Sequence, residues 1–180
     1  MEVVKTALEG VLLIKPQVFG DQRGFFLETF RAEEYARFGI SLPFVQDNHS
    51  RSRQGILRGI HYQSSHPQGK LVSVTKGRVF DVAVDLRPES SNYGKWFGVV
   101  LDDESHCQLW VPPGFGHGFY VLSEMVDFVY KCTDYYMPEY EISIRWDDPE
   151  IGIDWPIERD PILSEKDRVA PYLADMYKSD

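Results

Sequence analysis

Apolar and polar residues alternate along this chain in short bursts that lie close together. Alternation with a period of two marks a half-buried strand. It predicts strands over 11–15, 25–30, 44–49, 57–63, 70–76, 79–86, 96–101, 108–111, 118–122, 126–133 and 142–146. Turn formers stand between them: Gly20-Asp21, Lys76-Gly77, the run from Pro88 to Asn92, Pro112-Pro113-Gly114 and Met137-Pro138. The pattern is clearest over 79–86, where Phe80, Val82, Val84 and Leu86 share one face while Asp81 and Asp85 lie on the other. Helix is sparse. Residues 31–38 read as a short helix closed by Gly39, Ser164 reads as the N-cap of a helix starting Glu165-Lys166-Asp167, and 170–177 read as a C-terminal helix after or through Pro171. Many short strands at close spacing predict an all-β sandwich or barrel with a few short peripheral helices. No repeat, low-complexity tract or linker interrupts the pattern, so the expectation is one domain spanning 1–180.

Composition narrows the class. The chain has 180 residues, 43% of them hydrophobic, enough for a real core. No apolar run approaches the roughly 18 residues a spanning helix needs. The start, Met1-Glu2-Val3-Val4-Lys5-Thr6, lacks the layout of a signal peptide, so a cytoplasmic location is expected. Cys107 and Cys132 stand far apart and form no CxxC pair, which argues against a structural zinc site. Both read as small buried residues in strands, and a cytoplasmic setting disfavours joining them. Net charge is 19 − 28 = −9, against nucleic-acid binding and the basic surface it needs. A local cluster of Arg and Lys can still bind a small anion.

Such a cluster exists. Leu57-Arg58-Gly59-Ile60-His61-Tyr62-Gln63, followed by Gln68-Gly69-Lys70, puts a guanidinium, an imidazole and an ammonium into strand-like sequence. In a regular strand Arg58 and His61 would face opposite ways. Gly59 between them marks a bulge or a close backbone approach, and an irregularity there would let both reach one cavity. Alone, His61 would read as a satisfied strand histidine and Lys70 as an exposed strand end. Pro112 to Phe119 holds a second candidate, His117, among three glycines. It is either on a loop entering a pocket or on a tight surface turn. Tyr130 shares a face with Phe128 and Cys132 and reads as a core tyrosine, or as a phenolic acid inside a barrel. Asp167 has the blandest context, an acid in a first helical turn. The polar run from Gln46 to Arg53 suits a solvated edge or a ligand-binding wall, and Tyr135-Tyr136 either packs or stacks on a ring. The histidines at 49, 61, 66, 106 and 117 include no His-x-His pair, which disfavours a metal site.

Taken together, these segments resemble the dTDP-4-dehydrorhamnose 3,5-epimerase family. The resemblance runs through Val18 to Phe26, Phe44 to Ser50, Leu57 to Gln63, Gln68 to Val72, Val79 to Asp85, Gln108 to Pro112, Gly114 to Phe119 and Leu163 to Asp167. No one segment is decisive, but their order and spacing are specific. The resemblance implies a cupin-type jelly-roll β-sandwich or barrel, a homodimer, and no metal or other cofactor. It also implies roles: His61 as general base paired with Asp167, Tyr130 as acid, and Lys70 beside the keto oxygen. Arg23, Glu28, Gln46, Asn48, Arg58, His117, Glu141 and Lys166 would bind substrate, and Tyr136 would stack on thymine. Arg23 and Glu28 are expected to serve the neighbouring subunit's site. Ile60 and Gly116 depart from the family's usual Leu and Ala, and Ser64 to Pro67 form a variable loop; none is a matched catalytic position.

The implied reaction is epimerisation at C3 and C5 of dTDP-4-dehydro-6-deoxy-D-glucose. Three other readings remain: an epimerase inverting one centre only, a metal-dependent cupin oxygenase, and a sugar-nucleotide module without catalysis.

Overall fold

The strand pattern is realised as two facing antiparallel sheets in a computed structural model that describes residues 1–176. The strands are β1 (Glu2–Lys5), β2 (Leu12–Lys15), β3 (Val18–Asp21), β4 (Gly24–Leu27), β5 (Gln46–Arg53), β6 (Leu57–Gln63), β7 (Lys70–Lys76), β8 (Arg78–Asp85), β9 (Trp96–Asp102), β10 (Gln108–Val111), β11 (Phe115–Val121), β12 (Met125–Cys132) and β13 (Glu141–Ser143). One sheet runs β1-β2-β10-β7-β12-β5 and the other β13-β6-β11-β8-β9. Within them β10-β7-β12-β5 faces β6-β11-β8-β9, the strand order of a jelly roll. The pair β3-β4 stands apart as a hairpin. The helices are short: α1 (Ala32–Ala36), α2 (Glu165–Arg168), and 3-10 turns at Pro138–Tyr140 and Leu173–Asp175.

The core lies in three layers. Between the sheets, Val72, Val74, Val126 and Phe128 meet Val79, Ala83, Phe119 and Val121. Behind the five-stranded sheet, Leu57, Ile60, Val82 and Val84 pack against Ile144, Ile151, Trp155 and Leu173 of the C-terminal segment. Behind the six-stranded sheet, Ile14, Leu71 and Trp110 are covered by Tyr35 and Ile40. Each fully buried aliphatic side chain contributes about 1.5–3 kcal/mol. The central strands are therefore apolar on both faces. In β8 the face with Val82 and Val84 packs outward on the C-terminal segment, while Val79 and Ala83, on the side of Asp81 and Asp85, point between the sheets.

Several elements differ from the sequence expectation. Gly20-Asp21 lies inside β3, and the turn follows at Gln22-Arg23. β11 starts at Phe115, so the glycine-rich stretch around His117 is a buried strand and not a turn. The last strand covers only Glu141–Ser143. The expected helix over 170–177 is reduced to the turn Leu173–Asp175, because Pro171 lacks the N–H a helix requires; Tyr177 lies outside the described residues. Cys107 precedes β10 and is half-buried, unlike Cys132, which is buried in β12; both are free thiols.

Candidate active site

The two sheets part at one end to leave a cavity of about 640 Å³. Its walls come from β5, β6, β7, β11 and β12, the segment 136–141, and the first turn of α2. Gln46, Asn48, Arg58, His61, Lys70, His117, Tyr130, Tyr136, Glu141, Lys166 and Asp167 all line it. Alternation explains the β5 contribution: Gln46, Asn48 and Ser50 turn inward while Asp47, His49 and Arg51 face out. Arg23 and Glu28 are not brought to this cavity. Arg23 sits at the tip of the β3-β4 hairpin, bonded to Asp21, and Glu28 pairs with Arg31.

The opposite parity of Arg58 and His61 is resolved by a bulge in β6. His117 pairs with His61 and Phe119 with Arg58, so three steps of β6 oppose two of β11. Gly59 carries the irregularity at φ +118°, followed by a cis peptide to Ile60. A Cβ at Gly59 would lie 2.6 Å from the Gly118 Cα and 2.7 Å from the His117 carbonyl oxygen. The close approach of β6 to β11 therefore needs glycine here. Both side chains then line the one cavity.

His61 and Asp167 form its chemical centre. His61 Nε2 lies 2.5 Å from Asp167 Oδ1, across 106 positions of sequence. Asp167 is 2% exposed, and its Oδ2 accepts a hydrogen bond of 2.8 Å from Ser164 Oγ. Ser164 also caps α2, its Oγ accepting the Asp167 N–H at 3.1 Å. Burial pushes the Asp167 carboxyl up, but the hydrogen bonds and charge of His61, with Ser164 and Lys166, outweigh it and hold the carboxyl below its usual range. An ionised Asp167 only accepts, so the proton of this bond sits on His61 Nε2, and in the neutral ring Nδ1 is the basic nitrogen.

Lys70 Nζ and Tyr130 Oη have no hydrogen-bond partner among the described residues and project from neighbouring strands β7 and β12. Burial lowers the Lys70 pKa, and Cys132, Glu141 and Asp81 partly oppose this. Burial raises the Tyr130 pKa, assisted by Cys132 and Glu141 and opposed by Arg58. The phenol thus keeps its proton at neutral pH. Arg58 directs Nε and a terminal nitrogen to Ser52 Oγ at 3.2 and 3.1 Å. His117 Nε2 faces both oxygens of buried Asp81, at 3.1 and 3.0 Å. Glu141 Oε2 accepts from Lys166 Nζ at 2.8 Å and from Tyr136 Oη at 2.9 Å.

Sequence reasoning did not find Ser52, Asp81, Gln63 or the bond from Ser164 to the Asp167 carboxylate. Asp81 had one signal, an acid opposite the apolar face of a strand. Among the described residues no group of three or more His, Cys, Asp or Glu side chains is arranged to hold a metal ion.

This arrangement can abstract a proton beside a carbonyl, stabilise the resulting enolate with a cation and return a proton from a phenol. Comparison with known proteins agrees with that chemistry. A family model described as dTDP-4-dehydrorhamnose 3,5-epimerase matches residues 5–175. The chain is 52% identical over 176 residues to the dTDP-4-dehydrorhamnose 3,5-epimerase of Pseudomonas aeruginosa, covering 97% of each. It is also 52% identical over 179 residues to the enzyme of that name from Neisseria gonorrhoeae, spanning 99% of this chain but only 55% of that longer protein. Among solved structures, it superposes with a TM-score of 0.94 and 53% identity on the dTDP-6-deoxy-D-glucose-3,5-epimerase of Legionella pneumophila in complex with dTDP-4-keto-L-rhamnose, covering 96% of this chain and 93% of that one.

Proposed function

We propose a mechanism from one premise: the chain belongs to the dTDP-4-dehydrorhamnose 3,5-epimerase family and has its cupin-type jelly-roll fold. It is an epimerase that inverts C3 and C5 of dTDP-4-dehydro-6-deoxy-D-glucose, giving dTDP-4-dehydro-L-rhamnose. In our reading the C4 ketone acidifies the hydrogens on C3 and C5, and His61 removes each from one face of the ring. The observation that carries this role is the 2.5 Å contact of His61 with buried Asp167 in the cavity that also holds Lys70 and Tyr130. Asp167 fixes the imidazole and stabilises the imidazolium as it forms. Lys70 faces the developing enolate oxygen. Tyr130 delivers a proton from the opposite face, which completes inversion.

Arg58, with Gln46, Asn48, His117, Glu141 and Lys166, binds the rest of the substrate, and the guanidinium suits a diphosphate oxygen. That remote binding holds the sugar ring in a reactive position. Tyr136, 47% exposed at the mouth, serves as a platform for the base. The working unit is a homodimer in which Arg23 and Glu28 reach the neighbouring site. Their absence from the lining of their own chain's cavity supports this, as does exposure of Phe19, Phe25 and Phe26 on the hairpin. The reaction needs no metal, and the cytoplasm is its setting. No helix among the described residues is long and apolar enough to cross a membrane.

The test is turnover of dTDP-4-dehydro-6-deoxy-D-glucose in D2O with mass detection, with and without EDTA. Deuterium at two carbons, a rhamnose-series product and insensitivity to EDTA are expected. One exchanged and inverted centre would make the chain a single-centre epimerase, no exchange would end the reading, and loss of turnover on chelation would contradict metal independence.

A further inference from the structure

Tyr136 carries no ring partner among the described residues, so its position is set through its backbone and its hydroxyl. The backbone is held by glutamines. Gln68 Nε2 donates to the Asp134 carbonyl at 2.8 Å, and Gln46 Oε1 accepts the Tyr136 N–H at 2.9 Å. Gln63 does most: Oε1 accepts the Met137 N–H at 2.7 Å, while Nε2 donates to the carbonyls of His66 at 2.7 Å and Tyr135 at 3.3 Å. These partners fix the carboxamide's orientation, because an N–H can only donate and a carbonyl can only accept. Both N–H groups of Gln63 are thereby used, although the residue lines the cavity. It is 5% exposed and pairs with Glu141 across β6 and β13; Glu141 in turn accepts the Tyr136 hydroxyl.

We propose that Gln63 is a positioning residue for nucleotide recognition, its buried carboxamide fixing the 134–137 loop so that Tyr136 stands ready to stack on the base. This rests on the reading of Tyr136 as the base platform. A platform held in place before binding loses less freedom when the base arrives. The substitution Gln63→Glu keeps size and one acceptor but turns a carboxylate oxygen toward two carbonyls.

The test compares two probes, dTDP and inorganic pyrophosphate, by calorimetry on wild type, Gln63→Glu, Tyr136→Ala and the double variant. Gln63→Glu is expected to weaken dTDP about tenfold, the effect of one or two lost hydrogen bonds, with pyrophosphate unchanged. In the Tyr136→Ala background the same change should add less than about twofold, because coupled residues are not additive. If Gln63→Glu does not fold, Gln68→Leu is expected to show the same selective loss in smaller degree. Tight dTDP binding by Gln63→Glu, or by Gln68→Leu in its place, while Tyr136→Ala binds weakly, would overturn the positioning role and leave the stacking reading standing. Equal weakening of both probes would also overturn it. Unchanged dTDP binding by Tyr136→Ala would remove the platform itself, and the inference with it.

Discussion

Replacing Asp167 by asparagine removes one charge behind His61 and reverses the Ser164 contact, the amide N–H donating to Ser164 Oγ where Oδ2 now accepts. The amide oxygen can still accept from His61 Nε2 at the 2.5 Å position, and the site is 2% exposed, so neither packing nor solvent access changes much. What is lost is the difference between a charged and a neutral acceptor as His61 becomes an imidazolium. Hydrogen bonds to charged groups are worth about 1.5–3 kcal/mol, roughly twice neutral ones, so about 0.75–1.5 kcal/mol is lost. At about 1.36 kcal/mol per decade, Asp167→Asn should slow proton abstraction about 4- to 13-fold. The assay is the initial rate of deuterium wash-in at saturating substrate, with dTDP affinity measured alongside. The affinity should stay within about twofold, since Asp167 acts through His61 and not on the nucleotide. A wash-in rate within about threefold of wild type would refute the reasoning. Because the folded Asp167 carboxyl lies below its ordinary value, its contribution to stability is complete above about pH 4 and is lost as pH falls through the depressed folded value. Asp167→Asn should therefore also flatten the acid side of the stability curve.

Other residues give further tests. Tyr130→Phe should keep deuterium wash-in while product formation falls, and wild-type inversion in that variant would remove Tyr130 from the mechanism. Burial raises the Tyr130 pKa, so wild-type inversion should not be lost through phenol ionisation up to about pH 10. Lys70→Met should cost about 100- to 1000-fold in exchange, the effect of removing an enolate donor; a loss under about threefold would exclude that role. On the outer face, Arg51 and His49 hydrogen-bond Asp127 and bring its carboxyl down to about 2. That stability is present above the unfolded value near 4 and lost as pH falls toward 2. Urea unfolding of Asp127→Asn should show less dependence on pH across this window, and an unaltered slope would refute the assignment.

The two-sheet architecture was legible because short strand-like bursts recur along the chain, with alternation clearest in the second half, as in β8. What alternation could not show is that both faces of β8 are covered, one by the other sheet and one by a C-terminal segment about 60 to 90 residues away. The stretch around His117, from Phe115 to Gly118, read as a pocket loop or a tight turn for a sound local reason, its glycines and the prolines before it. In the structure Gly116 and Gly118 serve strand contact, with Gly118 against Gly59, while Gly114 keeps the turn before β11. The Arg58 and His61 parity conflict was readable as an irregularity at Gly59, and a bulge sits there. Tyr130 favoured the core on its strand pattern alone, since alternation gives a face but not where along that face the sheets part. Asp167 had no local signal, because its partner His61 is remote in sequence and only the family resemblance joined them. Gln63 closes the segment that carries His61, and Cys132 shares the face of Tyr130, but nothing local marked either as lining a cavity.

The most direct test of the mechanism is the count of deuterons entering C3 and C5 in wild type and in His61→Ala, read by mass and NMR. If one base in one cavity starts both inversions, wild type exchanges both carbons and His61→Ala loses both together. Surviving exchange at either carbon in His61→Ala, with dTDP binding intact, would require a second base and contradict the account.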